Sequence, residues 1–389
     1  MDILYLTSIK EVQFKAFRTL AKQFGHNIHL LGGQESYQKD FAFQSLHSAN
    51  SLFRFKKWLS RTPFIHSQYY LRAVYPGTKK TIKPDIIHAI GANSWGILAT
   101  SNQSTSCPLV ITCQGNDIYR YPFQRKKNFA RIKQTLHQAD LVHVLSDSTT
   151  QYLIDVFDLP ADKITASYWG IDVADINEIL RDADIESIKQ HWGIAERDTV
   201  IFAPRGMRPE FRPIESYLSA ILPLLRKNEN IKLIIMMHGH DKSLDRRVRN
   251  LIKNTGLNQK AIFINEFQTH QDIIGLMLLS DITISLAEND ETCSAILEAM
   301  YCGAIPVLSA TPTYLNRFED KKNVYFIDNS KMHQAVSMLQ EIISELPALK
   351  QKISPINKHV ILENFNRQAN LKGLQSMYEN LVRSYQSGS

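Results

Sequence analysis

Ser280-Asp281-Ile282-Thr283-Ile284-Ser285-Leu286, followed by Ala287-Glu288-Asn289-Asp290-Glu291-Thr292-Cys293-Ser294 and Ala295-Ile296-Leu297-Glu298-Ala299-Met300, then Tyr301-Cys302-Gly303-Ala304-Ile305-Pro306-Val307, decides the fold. The β-branched, apolar run Ile282–Leu286 reads as a buried strand, and Glu288–Glu291 as a polar loop at its carboxyl end. A helix follows over Thr292–Cys302, Gly303 stops it, and Ile305–Leu308 is a second buried strand. Two strands joined by a helix in this way run parallel in one sheet.

The same rhythm extends outward in both directions. In the first half, strands are expected at Ile3–Leu6, Asn27–Leu31, Asp85–Ala89, Leu109–Cys113, Leu141–Leu145 and Lys163–Ser167. Helices fall between them at Glu11–Phe24, Phe129–Gln138 and Ser148–Phe157. The second half repeats the pattern, with strands at Thr199–Ala203, Lys232–Met237, Ala261–Ile264 and Val324–Ile327 besides the two above. Its further helices are Ile214–Leu225, Lys242–Lys253, His270–Leu279 and Met332–Glu345. Strands alternating with helices give doubly wound parallel sheets, and two such sets give two Rossmann-like domains facing each other across a cleft. The break follows Gly170-Ile171-Asp172, where the charged stretch Asp172–Arg181 carries no strand pattern. A terminal helix over Asn364–Tyr385, with apolar Leu371, Leu374, Met377, Tyr378 and Leu381, must dock on another surface to be stable. The expected division is residues 1–172, 173–362 and a tail at 363–389.

Length and composition narrow the class. A chain of 389 residues is long enough for two domains, and 44% hydrophobic with 21% charged residues is ordinary for a soluble globular protein. No apolar run reaches the roughly 18–20 residues of a membrane span. Met1–Thr7 reads as a strand rather than a signal peptide, so a cytoplasmic location is expected. Cys107, Cys113, Cys293 and Cys302 lack any CxxC spacing, which disfavours a disulfide framework or a zinc site.

The net charge of +7 favours anionic partners, and its distribution is uneven. Residues 41–84 contain no acid, but they hold Arg54, Lys56, Lys57, Arg61, Arg72, Lys79, Lys80 and Lys83, interleaved with Phe53, Phe55, Trp58, Phe64, Tyr69, Tyr70 and Tyr75. A second basic run, Arg125-Lys126-Lys127 with Arg131 and Lys133, lies in the same half. Basic residues with interleaved aromatics suit an anionic membrane surface, which would place the protein peripherally on the inner face of the cytoplasmic membrane. A solvated helix face over an aromatic core is an equal alternative. No nucleic-acid motif is present.

Ligands of open α/β sheets bind at the carboxyl ends of strands, so the Glu288–Glu291 loop marks a candidate site. Thr292 or Glu291 can cap the next helix, whose first-turn N–H groups attract phosphate. Glu298, flanked by apolar residues two turns on, needs a polar partner, and a pair of sugar hydroxyls would serve.

Asp290, seven residues, then Glu298-Ala299-Met300-Tyr301-Cys302-Gly303-Ala304-Ile305-Pro306-Val307 resembles the motif of the retaining glycosyltransferases of family 4, which have the GT-B fold. The resemblance implies transfer of a sugar from a nucleotide diphosphate to a glycan or lipid-linked acceptor, in cell-surface polysaccharide biosynthesis, with no metal and no cofactor. A UDP-sugar is favoured over a GDP-sugar as co-substrate. It also implies a C-terminal helix crossing back to the N-terminal domain. Glu298 would bind the ribose, Asp290 the donor sugar, and backbone amides at Glu291, Thr292 and Cys293 the sugar or diphosphate. Asp290 stands where Glu is commoner, so its carboxylate reaches less far.

Other matches are shorter. Arg205, ending Phe202-Ala203-Pro204-Arg205, stands where the family grips the diphosphate. The family's following Lys is missing, leaving Arg208 or, by preference, Arg212. His238-Gly239-His240-Asp241 replaces a Gly-x-Gly turn, with Gly239 lining the site. Glu266-Phe267-Gln268 stands where the nucleobase is held. Leu109–Asp117 resembles the strand ending in Thr-x-His-Gly-Ser-Asp, with Gln114 in place of the His. Gln114, Asp117 and His88 are therefore the acceptor-side candidates. An Asx turn for Asp117 and a half-core role for His88 are equal alternatives. Two rival classes remain: a nucleotide-sugar epimerase, and a non-catalytic GT-B-like protein that binds a membrane or partner.

Overall fold

The computed structural model describes residues 1–7, 11–32, 45–47, 63–101, 107–206, 214–237, 242–328 and 330–387. They form two compact units, Met1–Trp169 with Arg367–Ser389, and Gly170–Asn366. In chain order, the first unit carries strands β1 (Asp2–Leu6), β2 (Asn27–Leu31), β3 (Ser45–His47), β4 (Ile86–Ile90), β5 (Leu109–Thr112), β6 (Leu141–Val144) and β7 (Ile164–Ala166). Its helices are α1 (Glu11–Phe24), α2 (Pro63–Ile82), α3 (Ile97–Thr100), α4 (Asn116–Tyr119), α5 (Lys126–Gln138) and α6 (Asp147–Phe157). Among the described residues the strands form one seven-stranded parallel sheet, ordered β3-β2-β1-β4-β5-β6-β7.

The second unit carries β8 (Thr199–Ala203), β9 (Ile231–Met236), β10 (Ala261–Ile264), β11 (Ile282–Ser285), β12 (Ile305–Ser309) and β13 (Tyr325–Ile327). Around them lie α7 (Val173–Asp182), α8 (Ile185–Trp192), α9 (Ile214–Lys227), α10 (Lys242–Lys253), α11 (His270–Leu279), α12 (Ser294–Tyr301), α13 (Pro312–Leu315), α14 (Ala335–Ser344) and α15 (Leu346–Asn364). The six described strands run parallel in the order β10-β9-β8-β11-β12-β13. The chain winds one way from β8 and then returns to lay β11 on its other side. The carboxyl ends of β8 and β11 are therefore the switch point, where such sheets bind ligands. Ile201, Leu233, Ile284 and Val307, one from each of four strands, are fully or almost fully buried in one core with residues of α9 and α14.

Helix α16 (Arg367–Ser387) returns to the first unit. Leu371, Leu374, Met377 and Tyr378 pack on Ile3, Tyr5, Leu30 and Ile86 of the sheet, which supplies the docking surface an amphipathic terminal helix requires. A buried polar chain fixes its position. Register sets Tyr5 beside His88 and Thr112 beside His143. His143 Nε2 lies 2.9 Å from the Ser167 carbonyl oxygen and 2.8 Å from the Ser167 hydroxyl; donation to the carbonyl, which only accepts, puts the proton on this nitrogen. His143 Nδ1 then accepts from the Thr112 hydroxyl at 2.9 Å. Thr112 in turn accepts from His88 Nε2 at 2.6 Å, so His88 Nδ1 accepts from Tyr378 at 2.5 Å. Tyr378 accepts from Tyr5 at 2.9 Å. In this arrangement every bond has one donor and both imidazoles are neutral. Burial agrees with that state: it pushes His143 down to about 4 and, with His143 nearby, holds His88 well below its usual value.

Several elements differ from expectation. β3, α2, α3, α4 and α15 carry no strong periodic signal; Pro76 inside α2 and Pro355 inside α15 break the pattern a helix is read from. The charged stretch after Asp172 folds as α7 and α8, capped by Asp172, which accepts from Asp175 N, and by Asp184, which accepts from Ser187 N. α12 begins at Ser294, so Cys293, rather than Thr292 or Glu291, stands at its N-cap, and the Cys293 side chain makes no cap bond. Arg208, Arg212 and Gly239 lie outside the described residues, as do residues 41–44 and 48–62 of the basic aromatic segment. No described helix is long and apolar enough to cross a membrane.

Candidate functional site at the switch point of the second unit

The site is built on two strand ends. After β8 the chain turns through Pro204-Arg205-Gly206; Gly206 takes φ +66°, a left-handed value open to glycine, and its N–H bonds the Ala203 carbonyl at 3.0 Å. This turn holds Arg205 at the carboxyl end of β8. After β11 the loop carries Asp290, which is 8% exposed. The Arg205 guanidinium forms an ion pair with Asp290 Oδ2. Tyr314, in the single turn α13 that follows β12, donates to the same oxygen at 2.7 Å. Burial pushes the Asp290 carboxyl above its usual range, against the pull of Arg205 and Tyr314.

Cys293 adjoins this cluster, and burial pushes its thiol up. Glu291 and Thr292 are buried beside it in sequence. Thr292 Oγ1 is inaccessible and has no hydrogen-bond partner among the described residues. Cys293 stands at the N-cap of α12, its carbonyl accepting from Ile296 N at 3.1 Å and Leu297 N at 3.2 Å.

Glu298 lies inside α12, 8% exposed. Its partner is one the sequence did not suggest: His270 Nε2, 3.3 Å from Oε1. His270 Nδ1 is 2.8 Å from Asp175 Oδ2 on α7. Phe267 is 61% exposed at the carboxyl end of β10, and Gln268 beside it is half-buried.

Arg205 and Asp290 are therefore brought together, with Cys293 near them, while Glu298 joins a second group on the same helix. The acceptor-side candidates lie in the first unit. Asp117, 3% exposed, accepts from Gln114 N at 2.9 Å, closing a local turn, and from Ala92 N at 2.7 Å, which ties it to the segment after β4. Gln114 is half-buried next to it. His88 is fully buried with both ring nitrogens engaged, which makes it a core histidine in this structure. The residues that sequence reasoning missed are Tyr314, His270 and Asp175. Thr269-His270-Gln271-Asp272 is legible as a capping box, but nothing in it names Glu298 as the partner of the histidine. Among the described residues no group of three or more His, Cys, Asp or Glu could hold a metal ion.

Two units with doubly wound parallel sheets, and a charged pair at the switch point of one, define a protein of the two-domain Rossmann-like class. The family model described as glycosyltransferase family 4 matches residues 16–175, and that described as glycosyl transferases group 1 matches residues 184–359. The chain belongs to the GT-B glycosyltransferases of group 1 and family 4. It is 26% identical over 170 residues to the serotype-specific mannosyltransferase WbdA of Escherichia coli, a match spanning 43% of this chain and only 20% of that protein. Its fold matches that of Anabaena HepE in complex with UDP-glucose, with TM-score 0.75, 17% identity, 98% of this chain and all of that chain (100%) covered. Sucrose-phosphate synthase from Thermosynechococcus elongatus matches with TM-score 0.78 at 11% identity, over 99% and 100% of the two chains.

Proposed function

We propose that this chain transfers a hexose, with retention of anomeric configuration, from a UDP-sugar to a glycan or lipid-linked acceptor in cell-surface polysaccharide synthesis. The observation that carries the reading is the Arg205–Asp290 pair at the β8/β11 switch point, with Glu298 on the helix that follows. In this reading the donor diphosphate competes with Asp290 for the Arg205 guanidinium, and the first-turn amides of α12 add positive potential. Asp290 is then free to accept from the sugar hydroxyls, Glu298 accepts from the ribose hydroxyls, and Phe267 packs on the base. Arg212 or Arg208 supplements the charge on the diphosphate. The bond from the anomeric carbon to the departing phosphate oxygen breaks as the acceptor oxygen bonds to that carbon. The acceptor proton passes to the phosphate, so no enzyme base is required at Gln114. Positive charge fixed where the leaving phosphate develops its own lowers the barrier. The UDP-glucose held by HepE supports a uridine donor, and the serotype-specific mannosyltransferase WbdA supports a hexose.

Thermal-shift and calorimetric titration with UDP-, GDP- and ADP-sugars tests this directly. The UDP-sugar should raise the melting temperature by mass action, and Arg205→Ala should remove that shift. Equal binding by wild type and Arg205→Ala would overturn the reading.

A further inference from the structure

His270 is placed by rigid elements and touches two acids. It is the first residue of α11, directly after Thr269, whose Oγ1 accepts from Asp272 N at 3.2 Å while Asp272 Oδ2 accepts from Thr269 N at 2.9 Å. This reciprocal cap fixes the backbone that carries the imidazole. Asp175 sits in the first turn of α7, where its own N–H bonds the Asp172 cap at 3.2 Å. α7 is tied to α12 a second time through the Tyr301 hydroxyl, which donates to Asn177 Oδ1 at 2.9 Å. Three helices therefore meet at one ring.

Ionised carboxylates only accept, so a ring that satisfies both Asp175 Oδ2 at 2.8 Å and Glu298 Oε1 at 3.3 Å carries a proton on each nitrogen. The contact uses one Glu298 oxygen. Among the described residues Oε2 takes no hydrogen bond, and the side chain remains 11% exposed. Glu298 is thus anchored by one oxygen and presents the other. Without the anchor, a three-torsion side chain is left to choose its own rotamer.

The geometry points to His270 as the positioning residue that sets Glu298 for the ribose, and through it the preference of this site for ribonucleotides over nucleotides lacking the ribose hydroxyls. This rests on the reading of Glu298 as the ribose ligand. Asp175 orients the ring from behind, as a carboxylate orients a ligand histidine elsewhere.

The test measures calorimetric affinities of the full chain for UDP and for 2′,3′-dideoxy-UDP, in wild type, His270→Ala, His270→Gln and Glu298→Ala. His270→Ala should weaken UDP roughly tenfold, the effect of losing a hydrogen bond to a charged group. It should leave dideoxy-UDP unchanged, and His270→Gln, which keeps a donor, should recover part of the loss. If Glu298→Ala weakens UDP but His270→Ala does not, the positioning role is wrong and the ribose reading stands. If Glu298→Ala binds UDP like wild type, the ribose reading fails and takes this proposal with it. Equal weakening of both nucleotides by both His270 variants marks a general structural role and overturns the proposal, as does a wild type that binds no UDP.

Discussion

Acidification forces a proton onto His143, and its surroundings set the cost. In the neutral form Nδ1 accepts from Thr112 and Nε2 donates to Ser167; a second proton at Nδ1 confronts a hydroxyl that was donating. Burial has lowered the pKa from 6.5 to about 4. A group whose folded pKa is depressed contributes stability that is complete above the unfolded value. That contribution is lost as pH falls through 6.5 towards 4 and stays lost below. The gap is worth about 3 kcal/mol. His88, also pushed down by burial, acts in the same direction. Native-state hydrogen exchange at the β6 amides reads the stability of the first unit by itself. From pH 7 to 4 the wild type should lose about 3 kcal/mol more than His143→Gln, which has no group to titrate there. Carboxylates titrate in both proteins and cancel in the comparison. If the two proteins lose protection in parallel, the argument that burial holds His143 neutral is refuted.

Further outcomes follow from other contacts. Tyr378→Phe removes the hydroxyl between Tyr5 and His88, leaving buried polar atoms unpaired; exchange in α16 should accelerate by the equivalent of about 1–3 kcal/mol. Asp290→Ala leaves Arg205 without its buried counter-charge and should lower the stability of the second unit by about 3 kcal/mol in urea denaturation, whereas Asp290→Asn, which still accepts from Tyr314, should cost less. Gly32 has φ +114°, and a Cβ there would collide with the Trp95 ring and lie 2.8 Å from the Thr7 carbonyl oxygen; Gly32→Ala should therefore cost about 1–3 kcal/mol, read by thermal melting.

Much of the architecture was legible because strands buried on both faces read as plain apolar runs. Asn27–Leu31, Thr199–Ala203 and Ala261–Ile264 occur with the expected bounds, as do the helices Glu11–Phe24, Lys242–Lys253 and His270–Leu279. The short β3 and the proline-containing helices α2 and α15 were not legible, since a three-residue strand has no period and an internal proline argues against a helix. Asp290, Glu298 and Arg205 were legible as chemistry, each an acid or base at a strand end or within an apolar helix. Their partners were not.

Local order in the sequence determined the strands, the helices and the parallel winding, because apolar periodicity and capping act within a few residues. The tertiary structure decided which strand ends meet. Arg205 and Asp290 share a pair because β8 lies beside β11, and Glu298 faces His270 because α11 packs against α12. It also decided that His88 is core: only the return of α16 brings Tyr378 to its Nδ1. Side-chain pairing depends on where distant segments pack, and that is fixed by the burial of the whole sheet rather than by any residue's neighbours in the chain.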